Sequence, residues 1–359
     1  MSMVNRSAKV RVRSGSILPC PKNPAGLSAT RRAAIGLLMM SSVGCAHGDL
    51  VTFEAKAAPL RVQQPALYPE TIEYDAKRGR FLLGSIRQGS VYAVDNQGRT
   101  SQVIDDPHLC SVLGIAIDAA HDWLWVVNAD LGSSVKPSVA GPKKVAAVAI
   151  YELGSGKPVN YVDLAPLLSG PHLLNGLALD AGGRAYVTDS FSPAIYRVTA
   201  DGHGAVFLQN SAFLGEGLNL NGLVVHPDGY LLVVKKSDGT LFRIPLAEPA
   251  RFSKVAVPQI VAADGVTLLG KDHLLIIANQ VPGQAFNRAY SLSSDDGWLS
   301  AQVGATYSFG SVYPTTGVLR DGKLYAVYSE LDELIQATSE QKARLRLEAT
   351  ILPFGSFEP

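Results

Sequence analysis

Glu70, Asn175, Asn221 and Asp264 are oxygen-bearing side chains at equivalent places in a repeated pattern, and together they could hold a hard cation. A calcium ion takes six to eight oxygens from carboxylates, amide carbonyls and water. Two acids would balance its charge, two amides would add neutral oxygens, and positions would remain for water or substrate. Zinc or copper would call for His or Cys, which these positions lack. The expectation is a Ca2+ site, or a site for another divalent cation, built from Glu70, Asn175, Asn221 and Asp264. Asn-Gly and Asp-Gly pairs are also ordinary turn chemistry, and that reading accounts for any single copy.

Each of these residues opens a unit of one form. Six units begin Pro69-Glu70-Thr71-Ile72, Leu113-Gly114-Ile115, Asn175-Gly176-Leu177, Asn221-Gly222-Leu223, Asp264-Gly265-Val266 and Thr316-Gly317-Val318. Each then runs through an apolar stretch, a tight turn and a second apolar stretch. Asp75, Asp118, Asp180 and His226 all stand five residues after their leading position, so the register is shared. In the third unit, Gly176–Asp180, Arg184–Asp189, Ala194–Thr199 and Ala205–Gln209 read as four strands. Repeats of roughly 40–60 residues with several short strands each predict an all-β fold. The architecture is a six-bladed β-propeller of four-stranded antiparallel blades. The strand-like segments Val51–Val62 and Arg344–Leu352 are expected to complete one blade between them and close the ring. Leading residues then surround one channel mouth. The longest connections, 129–144, 164–174, 210–220, 280–287 and 307–315, are expected on that same face. Only 330–343 carries a weak helical pattern.

Further chemistry belongs to residues aimed at that face. Asp264 could activate water as well as bind metal. The ends of the second strands supply Ser85, Asn128, Asp189, Lys235, Asn279 and Ser329. Lys235 is the cation of that set, suited either to a developing oxyanion or to a salt bridge. His172 and His108 are loop histidines that could act as bases near neutral pH. Phe213, Phe286, Tyr307, Phe309 and Tyr313 either line a partly apolar pocket or pack beneath loops. Cys110 reads as a small buried hydrophobe. No nucleophile elbow, His-Glu-x-x-His, Cys-x-x-Cys or phosphate-binding glycine loop is credible.

The first 46 residues carry seven basic residues and no acid, then the apolar run Ala33–Val43 and Gly44-Cys45-Ala46. That order is a secretory leader, and Thr30-Arg31-Arg32 gives it a twin-arginine character. Cleavage after Ala46 is expected, with a lipid anchor at Cys45 as the alternative. Residues 47–359 would then form one domain, periplasmic or secreted, with net charge −6 in place of +1 once seven basic residues leave. No basic cluster remains for nucleic acid or an anionic membrane, and no membrane span is expected. A small-molecule substrate and a monomer are.

The motifs resemble the senescence-marker-protein/gluconolactonase family of calcium-dependent six-bladed propellers, a group that includes paraoxonase-like lactonases. The resemblance covers most of residues 60–355. It rests on Tyr68-Pro69-Glu70, on Leu174-Asn175-Gly176-Leu177 through Ala185-Tyr186-Val187-Thr188-Asp189-Ser190, and on Asn221-Gly222 and Asp264-Gly265. It implies metal ligation by Glu70, Asn175, Asn221 and Asp264, with Asp264 also the water-activating base. Sugar lactonases of that family carry Arg where this chain has Leu173, which turns the expectation away from a polyhydroxy substrate. The implied activity is opening of a lactone or related ester by a metal-polarised carbonyl and activated water. A binding propeller with a structural calcium is the rival reading, and a lyase on the same scaffold the third.

Overall fold

Runs of Val, Ile, Leu and Tyr broken by Asp- and Gly-bearing turns pair as antiparallel hairpins throughout the chain. The computed structural model describes residues 51–53, 58–279 and 287–358. The chain divides into two units, Met1–Ala46 and His47–Pro359. The first of these, with the leader and Cys45, lies outside the described residues.

The larger unit is a six-bladed β-propeller. Blade III shows the plan: Leu174–Leu179, Ala185–Asp189, Ala194–Val198 and Gly204–Gln209 pair in sequence order. In blades I to IV the residue five places after the leading position closes the first turn, Asp75 by accepting from Arg78 N. Asp180 Oδ1 accepts the N–H groups of Gly182 and Arg184, Asp118 Oδ1 those of Ala120 and His121, and His226 Nδ1 that of Asp228. The shared register is therefore turn chemistry. In blade VI, Pro314–Arg320, Lys323–Tyr328 and Glu348–Phe357 come from the C-terminal part. Val51–Phe53 and Leu60–Pro65 pair with the last of these, Val51 opposite Phe357 and Leu60 opposite Ile351. The ring closes by this exchange of termini, as expected.

Side chains from adjacent blades form the core. Between blades II and III, Trp125, Val127, Val148, Val187 and Tyr196 are fully buried. Each such side chain contributes about 1.5–3 kcal/mol relative to exposure.

The innermost strands touch one another in succession around the channel. The repeated glycine permits that approach. A Cβ on Gly114 would meet Asn175 O at 2.4 Å, one on Gly176 Asn221 O at 2.6 Å, and one on Gly222 Asp264 O at 2.4 Å. Each glycine thus packs on the backbone of the next leading residue. The pairing also slips at this point in all six blades, at Leu174/Leu177, Leu220/Leu223 and their equivalents. A bulge of this kind re-aims a side chain. The Asn-Gly and Asp-Gly pairs are bulged strand residues and not turns.

Two expectations change in detail. The strand Gln302–Gly310 takes up the first part of the connection expected at 307–315, and the strand Pro314–Arg320 takes up its end. The helical pattern at 330–343 resolves into two short helices, Leu331–Gln336 and Ser339–Arg344. Most of the 280–287 connection, with Phe286, lies outside the described residues. Among the described residues no helix is long and apolar enough to cross a membrane.

Candidate active site at the channel mouth

The bulges bring the leading side chains to one end of the channel. A void of about 370 Å³ lies inside the innermost strands, lined by Glu70, Leu113, Asn175, Asn221 and Thr316 among others. A second, of about 350 Å³, is bordered by Glu70, Leu113, Asn175 and Asp264. Ile86, Leu131, Leu173, Phe191, Leu218, Tyr313, Leu331 and Ile335 supply most of its walls. The mouth pocket is therefore mostly apolar, with one charged cluster and, on its border, Lys143, whose Nζ lies 5.0 Å from the centre of the Phe191 ring.

Lys236 stands at the centre of that cluster, just past the second strand of blade IV. Its Nζ lies 3.0 Å from Asp264 Oδ1 and donates to Asn279 Oδ1; its side chain is 10% exposed. Asn221 Nδ2 donates to the same Asp264 oxygen, and Asn279 Nδ2 to the other. Asn279 Nδ2 also reaches Pro314 O at 2.6 Å. Asn175 Nδ2 donates to Ser190 Oγ at 3.2 Å. Burial holds the Glu70 carboxyl well above the usual carboxylate range, and the charge of Asp264 adds to this while Lys236 opposes it. Burial and the two carboxylates likewise push the Tyr313 hydroxyl up.

All four residues expected to bind calcium thus gather at the channel mouth, with Asn221 just inside the channel. As arranged, they do not fit a divalent cation. Both Asp264 oxygens already accept hydrogen bonds, and Asn221 offers the carboxylate its N–H side. No three His, Cys, Asp or Glu side chains converge among the described residues. The decisive obstacle is charge. A calcium ion 2.3–2.6 Å from Asp264 Oδ1 would stand no further than about 5.6 Å from the ammonium. At an effective dielectric of roughly 20 that repulsion is at least about 6 kcal/mol.

The expected catalytic residues fare differently. Lys235 turns away from the pocket. Its Nζ donates to Leu214 O at 2.6 Å and Ala212 O at 3.2 Å and pairs with Asp238 at 3.0 Å. These are the partners of the salt-bridge reading. His172 is also structural. It is buried, Nδ1 lies 2.8 Å from Asp189 Oδ2, and Nε2 lies 2.9 Å from Leu168 O, so neither nitrogen is free for substrate. The hydrogen bond to Asp189 holds its pKa above the usual histidine value. His108 is an exposed partner of Asp106. Of the aromatic candidates, Tyr313 borders the pocket; Phe213 packs on Phe242 and Phe252, and Tyr307 and Phe309 on Phe354. Cys110 is buried as expected, its thiol pushed up to about 11 by burial.

Sequence reasoning missed Lys236 by one residue. Leu174 pairs with Asp189, Leu220 with Lys235, and Ala263 with Ala278. The equivalent positions one step further are Ser190, Lys236 and Asn279, and all three turn to the mouth. The series Ser85, Asn128, Asp189, Lys235 mixed with Asn279 crosses two registers, and a one-residue slip changes the face. Phe191 had no such signal, because the loop path decides its position.

No protein-family model and no curated protein sequence matches the chain. Solved structures do. The major allergen Mala s 1 of Malassezia sympodialis is 17% identical, with TM-score 0.62 over 84% of this chain and 96% of that one. A candidate gluconolactonase is 15% identical, with TM-score 0.51 over 86% and 96%. An inactive variant of virginiamycin B lyase from Staphylococcus aureus is 13% identical, with TM-score 0.52 over 82% and 98%. These likenesses show the six-bladed fold.

Proposed function

We propose that the mouth pocket takes a small, partly apolar carbonyl compound, a lactone or related ester, and opens it by hydrolysis. The carrying observation is the Glu70–Asp264–Lys236 cluster in a mostly apolar pocket of about 350 Å³ that Lys143 and Asn175 also border. Two opposed functions are provided there. The Lys236 ammonium donates to the carbonyl oxygen and stabilises the oxyanion, an effect worth about 10²–10³-fold for one well-placed donor. Glu70, whose carboxyl burial holds above the usual carboxylate range, takes a proton from water as the water oxygen bonds to the carbonyl carbon. It returns that proton to the alkoxide when the ring or ester C–O bond breaks, and general acid–base help of this kind contributes about 10²–10⁴-fold. Asp264, whose oxygens are both engaged, orients Lys236 and yields the base role expected of it. A candidate gluconolactonase among the proteins sharing the fold is compatible with this reading; fold alone does not select it.

The test is a panel of γ- and δ-lactones and aryl esters of graded chain length, with wild type and Glu70→Gln. Turnover of at least one apolar member, reduced at least 100-fold by Glu70→Gln, is expected. Saturable binding without turnover would replace hydrolysis by the second reading, a binding propeller, which the largely aliphatic walls favour. No binding and no turnover would remove the pocket from consideration.

Export to the periplasm or beyond belongs to the same proposal and rests on the basic–apolar–small order of residues 1–46. Replacing Arg31 and Arg32 by Lys is expected to hold the chain in the cytoplasm on cell fractionation; unchanged export would refute the twin-arginine assignment.

A further inference from the structure

We propose that Lys236 is the resident cation of the leading-residue ring and that this one side chain keeps divalent metal out of a site otherwise built to take it. The inference is independent of the hydrolytic reading, because it concerns what occupies the ring and not what the pocket turns over.

The argument starts from the donor set. Glu70 and Asp264 bring two carboxylates to the mouth, and Asn175 and Asn221 bring two amides, all held by backbone bulges, and the glycines after Asn175, Asn221 and Asp264 pack on the next leading residue. Oxygen-rich chemistry of that type suits a hard cation. A buried carboxylate without a counter-charge is costly, so something positive has to stand beside Asp264. In this chain it is covalently attached. The Lys236 Nζ sits 3.0 Å from Asp264 Oδ1 and is tied by Asn279 Oδ1 on another side. Both partners come from blade V, and they are held in turn by Asn221 of blade IV, which donates to Asp264, and by Pro314 O of blade VI, which accepts from Asn279.

The positions equivalent to Lys236 carry no charge. Blade III has Ser190, whose hydroxyl accepts from Asn175 and donates to Leu220 O at 2.6 Å. Blade V has Asn279. A neutral residue is therefore compatible with this place in the fold, and the lysine is what sets blade IV apart. Replacing it removes the charge barrier, after which the Asn221 and Asn279 amides have only to rotate to turn their oxygens to the ion.

The experiment is calcium titration by calorimetry of residues 47–359 and of the full chain, with terbium luminescence as a second readout. Wild type is expected to bind no calcium up to millimolar concentration, and Lys236→Arg likewise. Lys236→Ser is expected to bind calcium at least 100-fold more tightly than wild type, and adding Asp264→Asn to it should abolish the gain. Should the Ser variant melt below the assay temperature, Lys236→Asn, which copies the residue of blade V, is read in the same way. Calcium binding by wild type that is lost in Asp264→Asn would overturn the proposal. So would folded Ser and Asn variants that bind no more calcium than wild type, since the lysine would then not be what excludes the metal.

Discussion

Blades III and IV are built to the same register, yet their second strands end in different chemistry. In blade III, Asp189 accepts the N–H groups of Leu173, Phe191 and Ser192 and the ring of His172, and the next residue, Ser190, turns to Asn175. In blade IV, Lys235 donates to the carbonyls of Ala212 and Leu214, and the next residue, Lys236, turns to Asp264. The same two positions thus do the same two jobs, the first with opposite charges and the second with a neutral hydroxyl in blade III and an ammonium in blade IV. The first ties the mouth loop of its own blade, and the second faces the pocket. Asn128 repeats the first job in blade II, accepting from Cys110 N and donating to His108 O, and Ser85 repeats it in blade I by donating to Leu67 O. Bracing follows the position within the blade, while the charge facing the pocket is particular to one blade.

The comparison can be broken most forcefully at Asp189. Asp189→Ala strands three backbone donors and a buried imidazole, and a loss of about 4–5 kcal/mol is expected. Thermal or urea unfolding measures it, and a loss below about 1 kcal/mol would deny the brace. Gly222→Ala comes next. Its Cβ would stand 2.4 Å from Asp264 O, where backbone has to give way, and about 2–3 kcal/mol with disturbed pocket binding is expected. Lys235→Met should cost about 2 kcal/mol by leaving two carbonyls and Asp238 without their donor, with turnover per folded molecule retained.

The smallest effect sharpens the comparison with a group outside both registers. Glu73 lines the channel, and burial raises its carboxyl to about 7 from an ordinary 4.5. The unfolded chain releases this proton first, so stability is complete below about pH 4.5 and falls as pH rises toward 7. Glu73 is only half-buried, and channel water reduces the effect to about 1–2 kcal/mol. Glu73→Gln should therefore melt with wild type at pH 4 and above it at pH 8. Coincident melts at both pH values would contradict the raised carboxyl.

Much of this was legible in the residues. The Asp and Gly turns mark hairpins by local chemistry, and six similar units leave few arrangements other than a closed ring. The glycine after every leading residue but Glu70 was visible, but its reason was not, since the contact it permits lies between strands roughly 40–60 residues apart. Gathering of Glu70, Asn175, Asn221 and Asp264 followed from the repeat alone. The roles of Lys235 and Lys236 did not. Two adjacent lysines at a strand end are distinguished only by pairing register, and Leu220 opposite Lys235 is a fact of the folded sheet. His172 was misjudged for a related reason, because loop position does not disclose a buried Asp189 partner.

The most direct test of the account sets Lys235→Met beside Lys236→Met and measures turnover per folded molecule on the best substrate of the lactone and ester panel. The account predicts near-normal turnover with a lowered melting temperature for Lys235→Met, and turnover reduced at least 100-fold for Lys236→Met at any melting temperature. Equal turnover in the two variants, or loss confined to Lys235→Met, would contradict it.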